Sequence, residues 1–411
     1  MVHVFEALGV KLAVDVNSGA VHVLDALTFD LLPLVEPPMA EHCPEAVASK
    51  LPQYGAQALE EGWQDLRELA QNGLLFVEDD YIDPTAATAL QQSAPIKALC
   101  LHVSHDCNLR CQYCFASTGD FGTGRKIMEF ETAKRAIDFV VERSGSRRNI
   151  EVDFFGGEPL MAMDTVKATV AYARSIEEEA GKCFRFTITT NGVLLDDENI
   201  EYINREMSNA VLSLDGRPEV NDHMRKTVNG QGSYEVIVPK FQKLVAGRGT
   251  KDYYLRGTFT HHNLDFAEDV LHMADLGFRS VSVEPVVGEE SCDYALQAGD
   301  LPIILEQYEL LAEKLKNRED VNFFHFNVDL AQGPCVIKRL RGCGAGCEYV
   351  AVTPEGDIYP CHQFVGNPDY QIGSLYDGSF DMELSHKFSC LNIYTREECQ
   401  DCWARFYRSE E

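Results

Sequence analysis

The alternation of apolar and polar positions changes character twice along this chain. At the start, residues 4–8, 11–16 and 21–25 alternate as half-buried strands do, with Asn17-Ser18-Gly19 as the turn before the third. Residues 58–70 then place their apolar side chains at helical spacing, and residues 74–77 read as a last short strand. The stretch from Asp83 through Pro84 to Ala89 reads as a linker, closing a first unit at about residues 1–85. From about residue 97, buried-type strand runs alternate with amphipathic helical segments. The strands are 98–103, 151–155, 184–189, 210–214, 253–260 and 280–285, and helical patterns include 131–141, 165–178 and 301–316. Alternating β and α elements predict an α/β fold with a parallel sheet. Six units over 95–320 predict a partial (β/α)6 barrel rather than a closed eight-stranded one. Residues 330–411 form a third region, poor in regular patterning and rich in cysteine.

Composition narrows the setting. A chain of 411 residues that is 45% hydrophobic can build two or three cores. It has no uninterrupted apolar run long enough to span a bilayer, and Met1-Val2-His3-Val4-Phe5-Glu6 lacks the basic and apolar regions of a signal peptide, so a cytoplasmic protein without a membrane partner is expected. Lys and Arg number 36 against 65 Asp and Glu, a net charge of −29 that argues against nucleic acid as a partner. In a cytoplasmic chain, 14 cysteines point to metal binding or catalysis more than to disulfides. Cys43, Cys100, Cys183 and Cys292 are scattered and read as small apolar residues.

The other cysteines are grouped. Cys107, Cys111 and Cys114 lie in CxxxCxxC spacing just after the first barrel strand, on the end of such barrels where active sites are built. Three thiolates so spaced can hold three corners of an iron–sulfur cube and leave the fourth iron for a ligand, whereas a cluster for electron transfer alone takes four. A zinc site is the competing reading of the triad, although zinc prefers four ligands. The end of the second strand carries Gly156-Gly157-Glu158-Pro159. The glycines let backbone approach a ligand, and Glu158 can accept from an amine. Thr189-Thr190-Asn191-Gly192 and Ser213-Leu214-Asp215-Gly216 follow at later strand ends as candidate hydroxyl binders, and Arg256 is a candidate carboxylate binder.

Together Cys107–Cys114, Gly156–Pro159 and Ser213–Gly216 resemble the motifs of the radical SAM superfamily. The resemblance implies a [4Fe–4S] cluster on Cys107, Cys111 and Cys114 and S-adenosylmethionine on its free iron, cleaved to a 5′-deoxyadenosyl radical. It implies that Gly156, Gly157 and Glu158 meet the methionyl amine, Arg256 the carboxylate and Ser213 and Asp215 the ribose, with Tyr113 beside the adenine. Cys343, Gly356 and Cys361 resemble the opening of a SPASM domain. This implies Cys335, Cys343 and Cys361 as ligands of a first auxiliary [4Fe–4S] cluster, with Cys347 as a further candidate. Cys399-Gln400-Asp401-Cys402 resembles the start of the second auxiliary segment. Its next cysteine would fall at Arg408, so an incomplete SPASM domain with a doubtful second cluster is expected.

The N-terminal unit resembles a PqqD-like winged-helix module that binds a leader peptide as an added strand near residues 21–24. The three-part order, with Ala351-Val352-Thr353-Pro354 and Cys402-Trp403-Ala404-Arg405, resembles the SCIFF maturases. That resemblance implies Cys-to-Thr thioether formation in a cysteine-rich precursor peptide, an electron donor such as flavodoxin or ferredoxin, and oxygen sensitivity. The alternatives are a sulfatase-activating or peptide-epimerising SPASM enzyme, and a maturase that only binds its precursor.

Overall fold

The computed structural model describes residues 1–79, 95–328, 343–390 and 392–406. Cys335 and Arg408 lie outside the described residues. Chain contacts divide the protein into two units. One holds the N-terminal residues to 79 together with Cys343 and the described residues from 389 onward; the other runs from 95 to 327 and from 344 to 388.

In the first unit, β1 (Val2–Ala7), β2 (Val10–Asp15) and β3 (Val21–Val23) form an antiparallel sheet in the order β1-β2-β3. The helices Ala26–Leu31, Glu45–Ala48 and Ala56–Gln71 follow. Asp25 starts the shorter one by accepting from the backbone N–H of Thr28 at 2.7 Å. Ala13, Leu31, Leu59, Trp63, Leu66 and Leu75 close the core. The predicted strand at 74–77 is absent. Phe76 takes a φ of +56°, which interrupts extended backbone. Side chains anchor the segment in place of ladder bonds: His22 Nε2 meets Leu74 O at 2.9 Å, and Asn17 Nδ2 donates to Val77 O at 2.7 Å.

The C-terminal residues of this unit pack on its sheet. The Trp403 ring stacks on His3 at 4.3 Å, and Val16, Ile393, Cys399 and Phe406 share a small core. Arg405 Nη2 donates to Asp79 Oδ2 at 2.8 Å and to Asn17 Oδ1 at 2.7 Å, with both charged side chains more than nine-tenths buried. Removing one partner of a buried pair strands the other charge. Arg405→Met is therefore expected to destabilise this unit by about 3 kcal/mol, read as lost hydrogen-exchange protection over residues 392–406.

The second unit contains β4 (Ala98–His105), β5 (Leu109–Cys111), β6 (Lys126–Ile127), β7 (Asn149–Gly156), β8 (Cys183–Thr190), β9 (Asn209–Ser213), β10 (Arg225–Thr227), β11 (Asp252–Phe259), β12 (Ser280–Pro285), β13 (Asn322–Phe323), β14 (Tyr349–Val352), β15 (Asp357–Tyr359) and β16 (Gly373–Ser374). The sheet runs β13-β12-β11-β9-β8-β7-β4-β14-β15-β16, with β4, β7, β8, β9, β11 and β12 parallel. Helices Phe130–Arg143, Met163–Ala180, Asp197–Glu206, Tyr234–Ala246 and Phe266–Asp275 connect these strands. The six predicted barrel strands are present, in predicted order.

Of the described residues in the cysteine-rich region, 344–388 group with the barrel unit, and Cys343 and those from 389 onward group with the first unit. The hairpin β14–β15 joins the barrel sheet, with Tyr349–Val352 in parallel register against Ala98–Leu101 of β4. Along the strands, Leu99, Leu101, Val152, Phe154, Phe186, Ile188, Leu212 and Leu255 belong to the core shared with the helices. The alternate residues, among them Cys100, His102, Asp153, Phe155, Ser213, Arg256 and Glu284, face the other way. That face is polar and aromatic rather than aliphatic, which suits a binding chamber more than a packed barrel centre. Among the described residues, no helix is long and apolar enough to cross a membrane.

Candidate active site at the strand ends

Where β4 ends, the chain turns into the cysteine loop. Asp106 Oδ1 accepts from Cys107 N at 2.9 Å, and Leu109 N points at Cys107 Sγ at 3.4 Å. Arg110 Nη1 ties the loop by donating to Cys107 O and Leu109 O at 2.5 and 2.6 Å. Cys111 lies on β5, which pairs with β10 so that Cys111 stands opposite Arg225. Cys114 N returns to Cys111 O at 3.2 Å. Burial pushes the Cys107 thiol up to about 12 and the Cys111 thiol up to about 11, so both stay protonated until a metal displaces the proton. Among the described residues, no three His, Cys, Asp or Glu side chains close on one point as the ligands of a single ion do. The thiolates of a cube sit on separate irons and need no such convergence.

The glycines of this region serve close backbone packing. A Cβ on Gly157 would stand 2.3 Å from Asp106 O, one on Gly156 (φ +121°) 2.2 Å from Ser104 O, and one on Gly119 (φ +101°) 2.5 Å from Cys107 Cβ. Gly157 N and Glu158 N donate to Ser104 O at 2.7 Å and Asp106 O at 2.9 Å, which locks the β7 end onto the cysteine loop. Glu158 is fully buried. Its Oε1 accepts from Thr190 Oγ1 at 2.7 Å and Leu160 N at 3.0 Å, and its Oε2 accepts from Asn191 N at 2.8 Å. Burial raises its pKa, and these donors oppose the shift. Asn191 Nδ2 in turn donates to Asn108 Oδ1 at 2.7 Å and lies 3.6 Å from Cys107 Sγ.

Asp215 is also fully buried. It accepts Tyr113 OH at 2.9 and 2.7 Å on its two oxygens and Thr258 N at 3.1 Å. Arg225 Nη1 donates to Tyr113 OH at 2.8 Å. Tyr113 and Asp215 thus form one network with Arg225, and burial pushes the Tyr113 phenol well above its ordinary range. Ser213 ends β9 opposite Arg256 of β11, whose side chain is exposed. The turn after Ser213 is pinned by Arg217, whose N–H and Nε donate to Asp269 Oδ1 at 3.0 and 2.8 Å. Gly216, with φ +134°, leaves room for Asp269, which a Cβ would meet at 2.3 Å.

The predicted residues therefore gather on the ends of β4, β7, β9 and β11. Sequence reasoning missed Arg225, Gly119 and Asp269 and offered Asn191 only as one of four candidate hydroxyl binders at its strand end. No motif marks Arg225, which acquires chemical meaning only when β10 pairs with β5. The residues present fit a cluster with S-adenosylmethionine. The donor set is three thiols, and two buried side-chain donors at the triad, Asn108 Nδ2 and Arg225 Nε, have no partner among the described residues.

The SPASM-type cysteines are distributed. Cys361 Sγ lies 3.5 Å from His362 Nδ1, and Cys347 Sγ donates to Gly344 O at 3.5 Å within its own turn. Both belong to the barrel unit. Cys343 is exposed, and Cys399 and Cys402 share one short turn in the first unit, where Cys402 N meets Cys399 O at 3.2 Å.

Residues 101–283 match the radical SAM superfamily, and residues 343–403 match the SPASM iron–sulfur cluster-binding domain. This chain carries a radical SAM domain. The domain implies a [4Fe–4S] cluster and S-adenosylmethionine, and the SPASM domain implies auxiliary iron–sulfur clusters. A cysteine-type anaerobic sulfatase-maturating enzyme of Clostridium novyi is 24% identical over 317 residues, covering 70% of this chain and 82% of that protein. The solved structure of the enzyme anSMEcpe with bound AdoMet aligns with a TM-score of 0.64 at 19% identity, over 76% of this chain and 88% of its own. Streptococcus suis SuiB bound to its precursor peptide SuiA aligns with a TM-score of 0.55 at 16% identity, over 98% of this chain and 93% of its own. At these identities the solved structures establish the mixed α/β radical SAM fold alone.

A buried histidine beneath this domain's site gives a pH dependence. His102, on β4, is wholly buried; its Nδ1 meets His105 Nε2 at 3.2 Å, and its Nε2 has no partner among the described residues. Burial holds its pKa well below the ordinary 6.5, with His105 and His362 adding to the effect. The unfolded chain therefore takes up a proton near pH 6.5 that the folded chain refuses. Stability of the cluster-free protein is expected to be full above pH 6.5 and to fall on acidification below it. His102→Phe should lessen that fall without abolishing it, because burial also lowers the pKa values of His105 and His362 to about 4, measured by urea unfolding at pH 7.5 and 5.5.

Proposed function

We propose that this protein is a peptide maturase that forms Cys-to-Thr thioether crosslinks in a cysteine-rich, ribosomally made precursor. The observation that carries the reading is the N-terminal sheet placed ahead of a radical SAM domain and a SPASM domain. Its last strand, β3, is three residues long and an edge, with Val23 76% exposed. An edge strand with free backbone groups can take an extended peptide as its next strand. SuiB, which aligns along almost the whole of this chain, is a protein solved with a precursor peptide.

In this reading Cys107, Cys111 and Cys114 hold the cluster. Glu158, with Gly156 and Gly157, takes the methionyl amine, Arg256 the carboxylate and Ser213 the ribose, while Tyr113 stands beside the adenine. Asp215, with both oxygens committed to Tyr113 and Thr258, contributes by fixing Tyr113. When bound, the cluster and S-adenosylmethionine supply a 5′-deoxyadenosyl radical that can take a hydrogen atom from a carbon of the peptide. The chain's own residues hold the reactants and keep water out. Phe155 and His362, with ring centroids 4.8 Å apart, give that chamber an aromatic wall. Arg256 and Glu284 make it charged. Burial opposes ionisation of Glu284, but hydrogen bonds from His325 and Ser282 and the charge of Arg256 outweigh it. A low-potential donor such as flavodoxin or ferredoxin is the proposed electron source.

A sulfatase-maturating activity is the second reading, favoured by the Clostridium novyi relative. The experiment compares three peptides under the same anaerobic conditions: a cysteine- and threonine-containing precursor with its leader, the same peptide without it, and a sulfatase active-site peptide. Thioether formation that depends on the leader supports the proposal. Turnover of the sulfatase peptide, with the precursor untouched, supports the second reading.

A further inference from the structure

One buried cation stands directly behind the cysteine triad. Arg225 is only 8% exposed. It lies on β10 opposite Cys111 of β5, and the backbone on either side is fixed, with Gln112 N donating to Met224 O at 3.0 Å and Ser233 Oγ to Arg225 O at 2.9 Å. Its Nη1 donates to Tyr113 OH at 2.8 Å, and its closest approach to the Asp215 carboxylate is 3.8 Å. Its Nε has no partner among the described residues.

A guanidinium removed from water needs compensating negative charge and a partner for each donor. Asp215 gives charge from 3.8 Å but no hydrogen bond to the guanidinium, because its oxygens are turned to Tyr113 and Thr258. A second negative charge beside it is the Cys111 thiolate, opposite Arg225 on the paired strand, which exists when the triad ligates iron. We propose that Arg225 is a positioning residue of the cluster site. It holds Tyr113 and the Cys111 arm of the loop, and its charge offsets the negative charge of the thiolate-bound cluster, raising the cluster's reduction potential. The physical basis is that net charge and donors near the sulfurs tune such potentials. The inference rests on the assignment of Cys107, Cys111 and Cys114 as the cluster ligands.

The test uses the full chain as wild type, R225M, R225K and D215N, each loaded anaerobically with iron and sulfide. Iron is counted per chain, and the EPR signal that changes on adding S-adenosylmethionine is followed through a redox titration. R225M is expected to move the midpoint to more negative potential and R225K to restore it toward wild type. D215N, which leaves the guanidinium less compensated, is expected to move it the opposite way. A purely structural Arg225 predicts no such pair of opposite shifts, and equal midpoints in wild type and R225M overturn the proposal. Should R225M fail to melt cooperatively, D215N decides: a positive shift supports the proposal, and no shift or a negative one overturns it. A wild-type protein that binds iron but shows no signal sensitive to S-adenosylmethionine overturns the triad assignment, and this inference with it.

Discussion

Replacing Cys107, Cys111 and Cys114 together by alanine is expected to abolish reductive cleavage of S-adenosylmethionine, with 5′-deoxyadenosine falling to the background of buffer alone. The reconstituted variant should also lose about 4 irons per chain, the content of one [4Fe–4S] cluster. The expectation follows from how the loop is built. Cys107 is fixed by Asp106, Asn191 and the close approach of Gly119, and Cys111 by its pairing with Arg225. None of these contacts uses the sulfur atoms as structural glue beyond weak N–H···S contacts, so the apoprotein should fold with the triad removed. Circular dichroism close to wild type, with both iron and deoxyadenosine lost, separates this outcome from simple unfolding.

The second large effect is mechanical. Gly157→Val is expected to destabilise the protein by about 3 kcal/mol through overpacking and the backbone strain it forces. Its side chain would be driven into Asp106 O, 2.3 Å from the Cβ position, with Gly119 O at 2.8 Å. Both obstacles are backbone, so neither can rotate away, and relief requires the β4 loop to move and carry Cys107 with it. Gly181→Ala is the control. Gly181 has φ +65° and nothing within 4 Å of its Cβ position, so alanine there costs about 1 kcal/mol from conformation alone. Guanidinium unfolding of the two variants should rank them in that order, and only Gly157→Val should reduce iron uptake.

The barrel was legible because its strands are buried on one face by helices and repeat with clear punctuation. β12 begins and ends where the alternating stretch from Ser280 to Pro285 does. The cysteine triad and Gly156-Gly157-Glu158 were legible because their chemistry is local to a few residues. What escaped was contact between segments distant in sequence. Arg225 acquires meaning only through β10 pairing with β5, and Gly119 only through the backbone of Cys107 against it. The stretch 74–77 looked like a strand because all four residues are apolar, yet a left-handed Phe76 and the Asn17, Asp15 and His22 side chains fix it as an irregular segment. Composition marked the cysteine-rich tail as one region but did not show which sheets its parts pack on. Pairing of β14 with β4 puts its first part on the barrel, and the packing of Trp403 and Arg405 puts its last part on the N-terminal sheet.

The most direct test of the account is the mass of the product. The reconstituted full chain is reduced and incubated without oxygen with S-adenosylmethionine and a cysteine- and threonine-containing precursor peptide bearing its leader, and the peptide is sequenced by tandem mass spectrometry. The expected product has lost two hydrogen atoms for each thioether, placed between a cysteine sulfur and a threonine carbon, with 5′-deoxyadenosine formed alongside. A peptide of unchanged mass while 5′-deoxyadenosine accumulates would contradict the proposed function.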